Sequence, residues 1–176
     1  MSQTLSCSAV LDNPRMFDVF AFARKQQQAS GEVLVQNLSR ILNEVTPDKL
    51  AQHPALRWNV TGAIRQELVA GGKSVAMPYL RLTLEGALWL ECQRCLEPYQ
   101  EPLTIDIWYR IVQNSAQADA APANDERADV IVGSRQFDLI DLIDEELLLS
   151  LPLVPKHSVC PFTHESIVGY GVETSN

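Results

Sequence analysis

The sequence has no apolar run near the ~20 residues that a bilayer-spanning helix needs, so a soluble chain is expected. Its first residues, Met1-Ser2-Gln3-Thr4-Leu5-Ser6-Cys7, lack both a basic region and an apolar core, and no secretion signal is expected in them. Cysteine is scarce, at four residues. Without a secretion signal, those thiols point to a reducing compartment, free or metal-bound, and to the cytoplasm. Histidine is scarcer still: His53, His157 and His164 have no convincing nucleophile beside them, and a dyad of Cys160 with His157 or His164 lacks any supporting motif. Basic residues are thin where acids are dense. Up to residue 90 nine Lys/Arg face seven Asp/Glu, but from residue 91 five face fifteen, within a net charge of −8. Affinity for nucleic acid comes largely from Lys and Arg displacing counterions on phosphate, so the C-terminal half is a poor RNA wrapper. An acidic surface suits a basic protein better, although acids also simply keep a protein soluble.

What is present fits one domain, since 176 residues can bury a sizeable core. Asn13-Pro14 reads as an N-cap and first helical residue, with Phe17, Phe20, Ala21 and Arg24 at helical spacing, which predicts a helix to about Gln28. A short β-prone run at 32–35 and a brief helix through Ile41, Leu42 and Val45, stopped by Pro47, follow. From Leu56 the period becomes two. Leu56, Trp58, Val60 and Ile64 share one face and Arg57, Asn59, Thr61 and Arg65 the other, with Gly62 a candidate bulge. Ala70-Gly71-Gly72-Lys73-Ser74 is a hairpin turn. Its Gly-Lys-Ser is no phosphate loop, because the motif's first glycine would fall on Glu67, whose carboxylate repels phosphate. Alternation resumes from Tyr79 to Cys92, with Gly86 a candidate break, and again from Leu103 to Ile111. Residues 114–129 carry no large apolar side chain and read as a mobile loop, as does the tail from about residue 171; 130–132 read as one more strand.

Two stretches carry chemistry. The first is Glu91-Cys92-Gln93-Arg94-Cys95-Leu96-Glu97-Pro98, a C-x-x-C at a turn between strands. Two thiols at this spacing can grip a metal, close a disulfide or merely pack, and packing is the plainest reading. A redox pair is disfavoured, because Glu91 and Glu97 flank the thiols and no βαβ unit places them at a helix N-terminus. The second stretch is DLIDLIDEELLLSLPLVPKH from Asp138, a capped helix stopped by Pro152 and followed by an extended Pro-bounded segment to Cys160. A structural zinc site would take Cys92, Cys95, Cys160 and one imidazole, His157 or His164, although Cys95 and Cys160 are far apart in sequence.

Together, E-C-Q-R-C-L-E-P after a hydrophobic strand and D-E-E-L-L-L-S-L-P-L-V-P-K-H near the end resemble the YceD family. The matching residues are Cys92, Arg94 and Cys95, then Glu145, Glu146, Leu149, Leu151-Pro152, Pro155 and His157. The resemblance implies a cytoplasmic role in synthesis, processing or stability of large-subunit (23S) ribosomal RNA, and implies no catalytic activity.

The expectation is therefore a single α+β domain over residues 1–176: an antiparallel β-meander or partly open barrel with an N-terminal helix and an acidic C-terminal helix. Function is expected through a ribosomal protein or assembly factor, with Asp141, Asp144, Glu145 and Glu146 on a solvated helix face as the contact. A direct RNA-binding face of Arg57, Arg65 and Arg81 beside Tyr79 is the alternative. A metal-dependent nuclease built on the acidic cluster is a more distant one. Zinc is the one cofactor the sequence admits; no membrane or small-molecule substrate is indicated.

Overall fold

Strict alternation between Leu56 and Ile111 folds into three long strands. β2 (Leu56–Val69), β3 (Lys73–Glu91) and β4 (Pro98–Val112) pair antiparallel. The structure, a computed structural model, describes residues 11–69, 71–120 and 128–161. Two further strands, β1 (Gln28–Val33) and β5 (Asp129–Val132), complete an open sheet in the order β1-β2-β3-β4-β5. Because side chains alternate across a sheet, one face collects Leu56, Trp58 and Val60 with Leu80, Leu82, Leu84, Leu88 and Leu90, and with Leu103, Tyr109 and Ile111, all buried. Helices α1 (Val19–Arg24) and α3 (Leu139–Ser150) close this face; α1 meets β2 and β3, and α3 meets β4.

Several expectations are corrected by the same geometry. β5 runs parallel to β4, so the sheet is mixed, an open sheet and not a pure antiparallel meander or a barrel. A parallel neighbour requires a long crossover, which residues 113–128 supply. Part of that stretch is a short helix, α2 (Ser115–Asp119), capped by the Asn114 side chain accepting the Gln117 N–H at 3.0 Å; residues 121–127 and the tail from 162 lie outside the described residues. The N-terminal helix is shorter than its sequence pattern. Asn13 accepts the Arg15 N–H in a turn, and Asp18 is the cap, accepting the Ala21 N–H at 2.9 Å. The glutamines expected to end the helix lead into β1, after Gln26 at φ 50. Three 3-10 turns (Val35–Asn37, Ile41–Asn43 and Pro47–Gln52) replace the brief helix, and Pro47 starts the third of them.

Neither Gly62 nor Gly86 interrupts its strand; the ladder runs through both in register. Both are glycine because a neighbour comes too close. A Cβ on Gly62 would sit 2.7 Å from the Phe22 carbonyl oxygen of α1, and one on Gly86 would sit 2.3 Å from a Leu56 methyl. The segments leading into α1 and α3 are tied together. Phe17 and Phe137 exchange backbone hydrogen bonds at 3.2 and 2.9 Å, and the Leu139 N–H donates to Pro14 O at 2.8 Å.

Candidate metal centre

β3 delivers Cys92 to the buried end of its apolar face, following Leu88 and Leu90. The turn into β4 is closed by the Cys92 N–H on Glu97 O (3.1 Å) and the Leu96 N–H on Cys92 O (2.8 Å). Closing it this tightly puts Leu96 at φ 60, a left-handed conformation that costs a side-chain-bearing residue about 1–2 kcal/mol. The result turns Cys95 inward beside Cys92, both buried.

The other half arrives from beyond α3. Pro152 ends the helix, and the following strap is fastened to the turn by four contacts. The Gln93 N–H donates to Pro155 O (2.9 Å), the Arg94 guanidinium to His157 O (2.5 Å), the Lys156 N–H to the Tyr99 hydroxyl (3.1 Å), and the His157 N–H to Cys92 Sγ (3.4 Å). The His157 ring also lies against Tyr99, with centroids 5.1 Å apart. Burial, then the hydrogen bond and charge of Glu101, push the Tyr99 hydroxyl up to about 12, so it keeps its proton while accepting from Lys156.

Four ligand atoms converge as a result: Cys92 Sγ, Cys95 Sγ, Cys160 Sγ and one nitrogen of His157 all lie within 4.8 Å of one another. Cys92 and Cys160 sulfurs are 3.8 Å apart, nearly twice a disulfide bond, and Cys95 Sγ is 3.4 Å from His157 Nδ1. Tetrahedral zinc, with Zn–S of about 2.3 Å and Zn–N of about 2.0 Å, sets edges of about 3.8 Å between sulfurs and about 3.5 Å between sulfur and nitrogen. The donor set and these two edges fit zinc. Among the described residues this is the group arranged to hold a metal; His164 lies outside them.

The electrostatics depart from the expectation that Glu91 and Glu97 keep the pair protonated. Burial pushes the Cys92 thiol up, but N–H groups of His157, Cys95 and Arg94 and the His157 ring outweigh it and bring Cys92 down to about 5. Cys160 goes the other way, to about 11, through burial and its hydrogen bonds to Cys95 and Cys92. Cys92 and Cys160 are thus driven in opposite directions.

The acidic helix is not the solvated face that its spacing suggested. Asp144 is 3% exposed and accepts the N–H groups of Arg40 (2.8 Å) and Ile41 (3.0 Å) and the Ser39 hydroxyl (3.3 Å), pinning α3 to the second 3-10 turn. Asp141 pairs with the Arg40 guanidinium at 2.6 Å. Glu146 is half-buried beside Tyr109, and burial, with Asp129 and Glu145 nearby, raises its pKa. Glu145 stands exposed. These carboxylates turn in different directions, so they form no metal-binding group among the described residues.

On the outer sheet face, Arg57, Arg65 and Arg81 share one side of β2 and β3, as expected. Two are already paired: Arg57 with Glu85 at 3.4 Å, and Arg81 with Asp106 through two bonds of 2.7 and 2.6 Å. Arg65 lies 3.7 Å from the Trp108 ring centroid and 4.7 Å from that of Tyr79, which occupies the aromatic faces a base would use. Tyr99 and Arg40 were missed as organising residues. Their partners are far away in sequence, and no local pattern announces them.

Residues 80–175 match the family described as "Large ribosomal RNA subunit accumulation protein YceD". A Haemophilus influenzae protein of that same description is 45% identical over 69 residues, an alignment covering 39% of this chain and 39% of the relative. No solved structure matches. The matched residues hold most of β3, all of β4 and α3, and the whole Cys/His corner. The chain belongs to the YceD family.

Proposed function

We propose that this chain supports accumulation of large-subunit ribosomal RNA without turning over a substrate, through contact in the cytoplasm with a ribosomal protein or assembly factor. One observation carries the reading: the two signature segments are bonded into a single corner by Gln93–Pro155, Arg94–His157 and the four converging ligand atoms. A corner braced in this way is a rigid protein surface. The charge from residue 91 onward favours a basic protein over phosphate. Within the acidic helix, Glu145, Asp141 and Glu146 are the contact residues; Asp144 serves the fold.

Zinc belongs to this reading as a clip. Thiolates of Cys92, Cys95 and Cys160 and Nδ1 of His157 would hold it, and the metal would supply cross-linking between the turn and the strap. Arg94, whose charge reaches Cys160, would offset the negative charge of three thiolates on one dication. Metal analysis of the purified full chain tests the clip: one zinc per chain is expected, lost in Cys92→Ser and Cys160→Ser. A chain purified without zinc that also fails to take it up removes the clip and leaves the ribosomal reading standing.

The ribosomal reading is tested by co-sedimentation of the full chain with large-subunit precursors, before and after mild nuclease. Retention of a ribosomal protein or assembly factor after RNA digestion is expected, with loss when Asp141 and Glu145 are both changed to Lys. Complete loss with the RNA would overturn the protein-contact reading and move the contact to the face of Arg57, Arg65 and Arg81. That alternative predicts a steep fall of affinity with salt together with sensitivity to substitution of Arg57, Arg65 or Arg81.

A further inference from the structure

Large apolar side chains are exposed in one place more than anywhere else. Leu148, Leu149 (72% exposed), Leu153 (99%), Val154 and Val159 (82%) occupy the last turn of α3 and the strap, and Leu96 (63%) lies on the metal turn to which the strap is bonded. The strap's hydrogen bonds to Gln93, Arg94 and Tyr99 keep these residues together. The other exposed large apolar residues among those described, Met16, Leu34, Leu42, Leu68 and Val132, are spread along the sequence. The rim of the patch is acidic. Glu91, Glu97 and Glu145 are exposed and form no ion pair among the described residues; against them stand Arg94 on the turn, bonded to the His157 carbonyl, and Lys156 on the strap.

We infer that this patch is a docking surface for a segment of a basic protein, apolar side chains flanked by Lys or Arg. The inference rests on the protein-contact reading above and names its chemistry. Charge selects this occupant over the others. A second copy of the chain brings the same acidic rim and a net charge of −8, RNA brings phosphates, and an anionic membrane surface brings acidic headgroups. Each of these is repelled where a basic segment is attracted. The apolar centre with a charged rim is the usual anatomy of a protein–protein contact.

The test places the photo-crosslinking residue benzoylphenylalanine at Leu153 or Val159 of the full chain in cells, with Leu68 (81% exposed, at the β2–β3 hairpin) as the control position. The expected result is one major adduct at both strap positions, absent at Leu68, whose partner is a protein rich in Lys and Arg by mass spectrometry. Adduct yield should fall at least tenfold at Val159 when Leu149 and Leu153 are both Ser, and comparably when Glu97 and Glu145 are both Lys. Circular dichroism and thermal melting of these variants should stay at the parent values, because every changed side chain is exposed. No adduct above the Leu68 level overturns the inference, as does an adduct with RNA, with a second copy of this chain or with an acidic protein. If the partner is basic but never found with large-subunit precursors, the docking surface stands and the ribosomal reading falls. If the strap variants lose the adduct while retaining nuclease-resistant co-sedimentation, the ribosomal reading stands and the strap is not its contact.

Discussion

Changing Asp144 to Ala would orphan two backbone N–H groups at the start of a 3-10 turn and release α3 from Ser39, Arg40 and Ile41. A buried donor left without a partner costs about 1–3 kcal/mol, so a loss of about 3 kcal/mol in urea denaturation is expected. Glu145→Ala, one residue on and exposed, should change stability by no more than about 0.5 kcal/mol. His53 supplies a pH dependence. Burial lowers its pKa, and its Nδ1 accepts the Trp89 N–H at 3.4 Å, a role open to the neutral ring alone. With the folded pKa depressed below the unfolded value near 6.5, the stabilisation is full above that value and is lost as pH falls through the folded one. The urea midpoint should therefore drop between pH 7 and pH 5, and His53→Gln should flatten that slope. None of this is visible locally: Asp144 sits in an acidic run at helical spacing, and its partners are 103 to 105 positions away.

At the scale of elements, the close approach of α1 to β2 is the most exposed to a single change. Gly62→Val would press a branched side chain into the Phe22 carbonyl, and overpacking of this kind costs about 1–3 kcal/mol; the melting temperature should fall accordingly. Gly71→Ala in the β2–β3 turn meets no neighbour, and its cost would come from the φ of +90 alone. The same contrast separates what could be read from the chain and what could not. Alternation from Leu56 to Ile111 is a local signal and placed β2, β3 and β4 on their correct faces. The Asp138 cap and the Pro152 stop placed α3. The start of α1 was misread because Asn13-Pro14 and Asp18 offer the same capping chemistry, and only the Phe17–Phe137 bridge decides which one is used. The direction of β5 was equally hidden, since its four residues fit either sense and the crossover decides. At the metal corner the residue types were legible, whereas the convergence of turn and strap depends on Tyr99 and Arg94 reaching the strap.

For the whole molecule, a metal held at the Cys/His corner would join segments more than 60 residues apart, so it should stabilise the entire fold and not the corner alone. At free zinc a thousandfold above its dissociation constant, linkage gives about 4 kcal/mol, or a rise of about 10 °C for a chain of this size. Removing the metal with a strong chelator should lower the melting temperature by that much, and Cys92→Ser should be insensitive to the chelator. The acidic surplus from residue 91 on makes a second whole-molecule prediction: attachment to a basic partner should weaken as salt rises, through slower association more than faster release.

The tie between Arg15 and Asp138 spans 123 positions, and the Phe17–Phe137 bridge lies just inside it. During translation at about 5–20 residues per second, Phe17 is added to the chain roughly 6–24 s before Phe137. For that interval Phe17 has no strand partner, so the bridge can close only after most of the chain has been made.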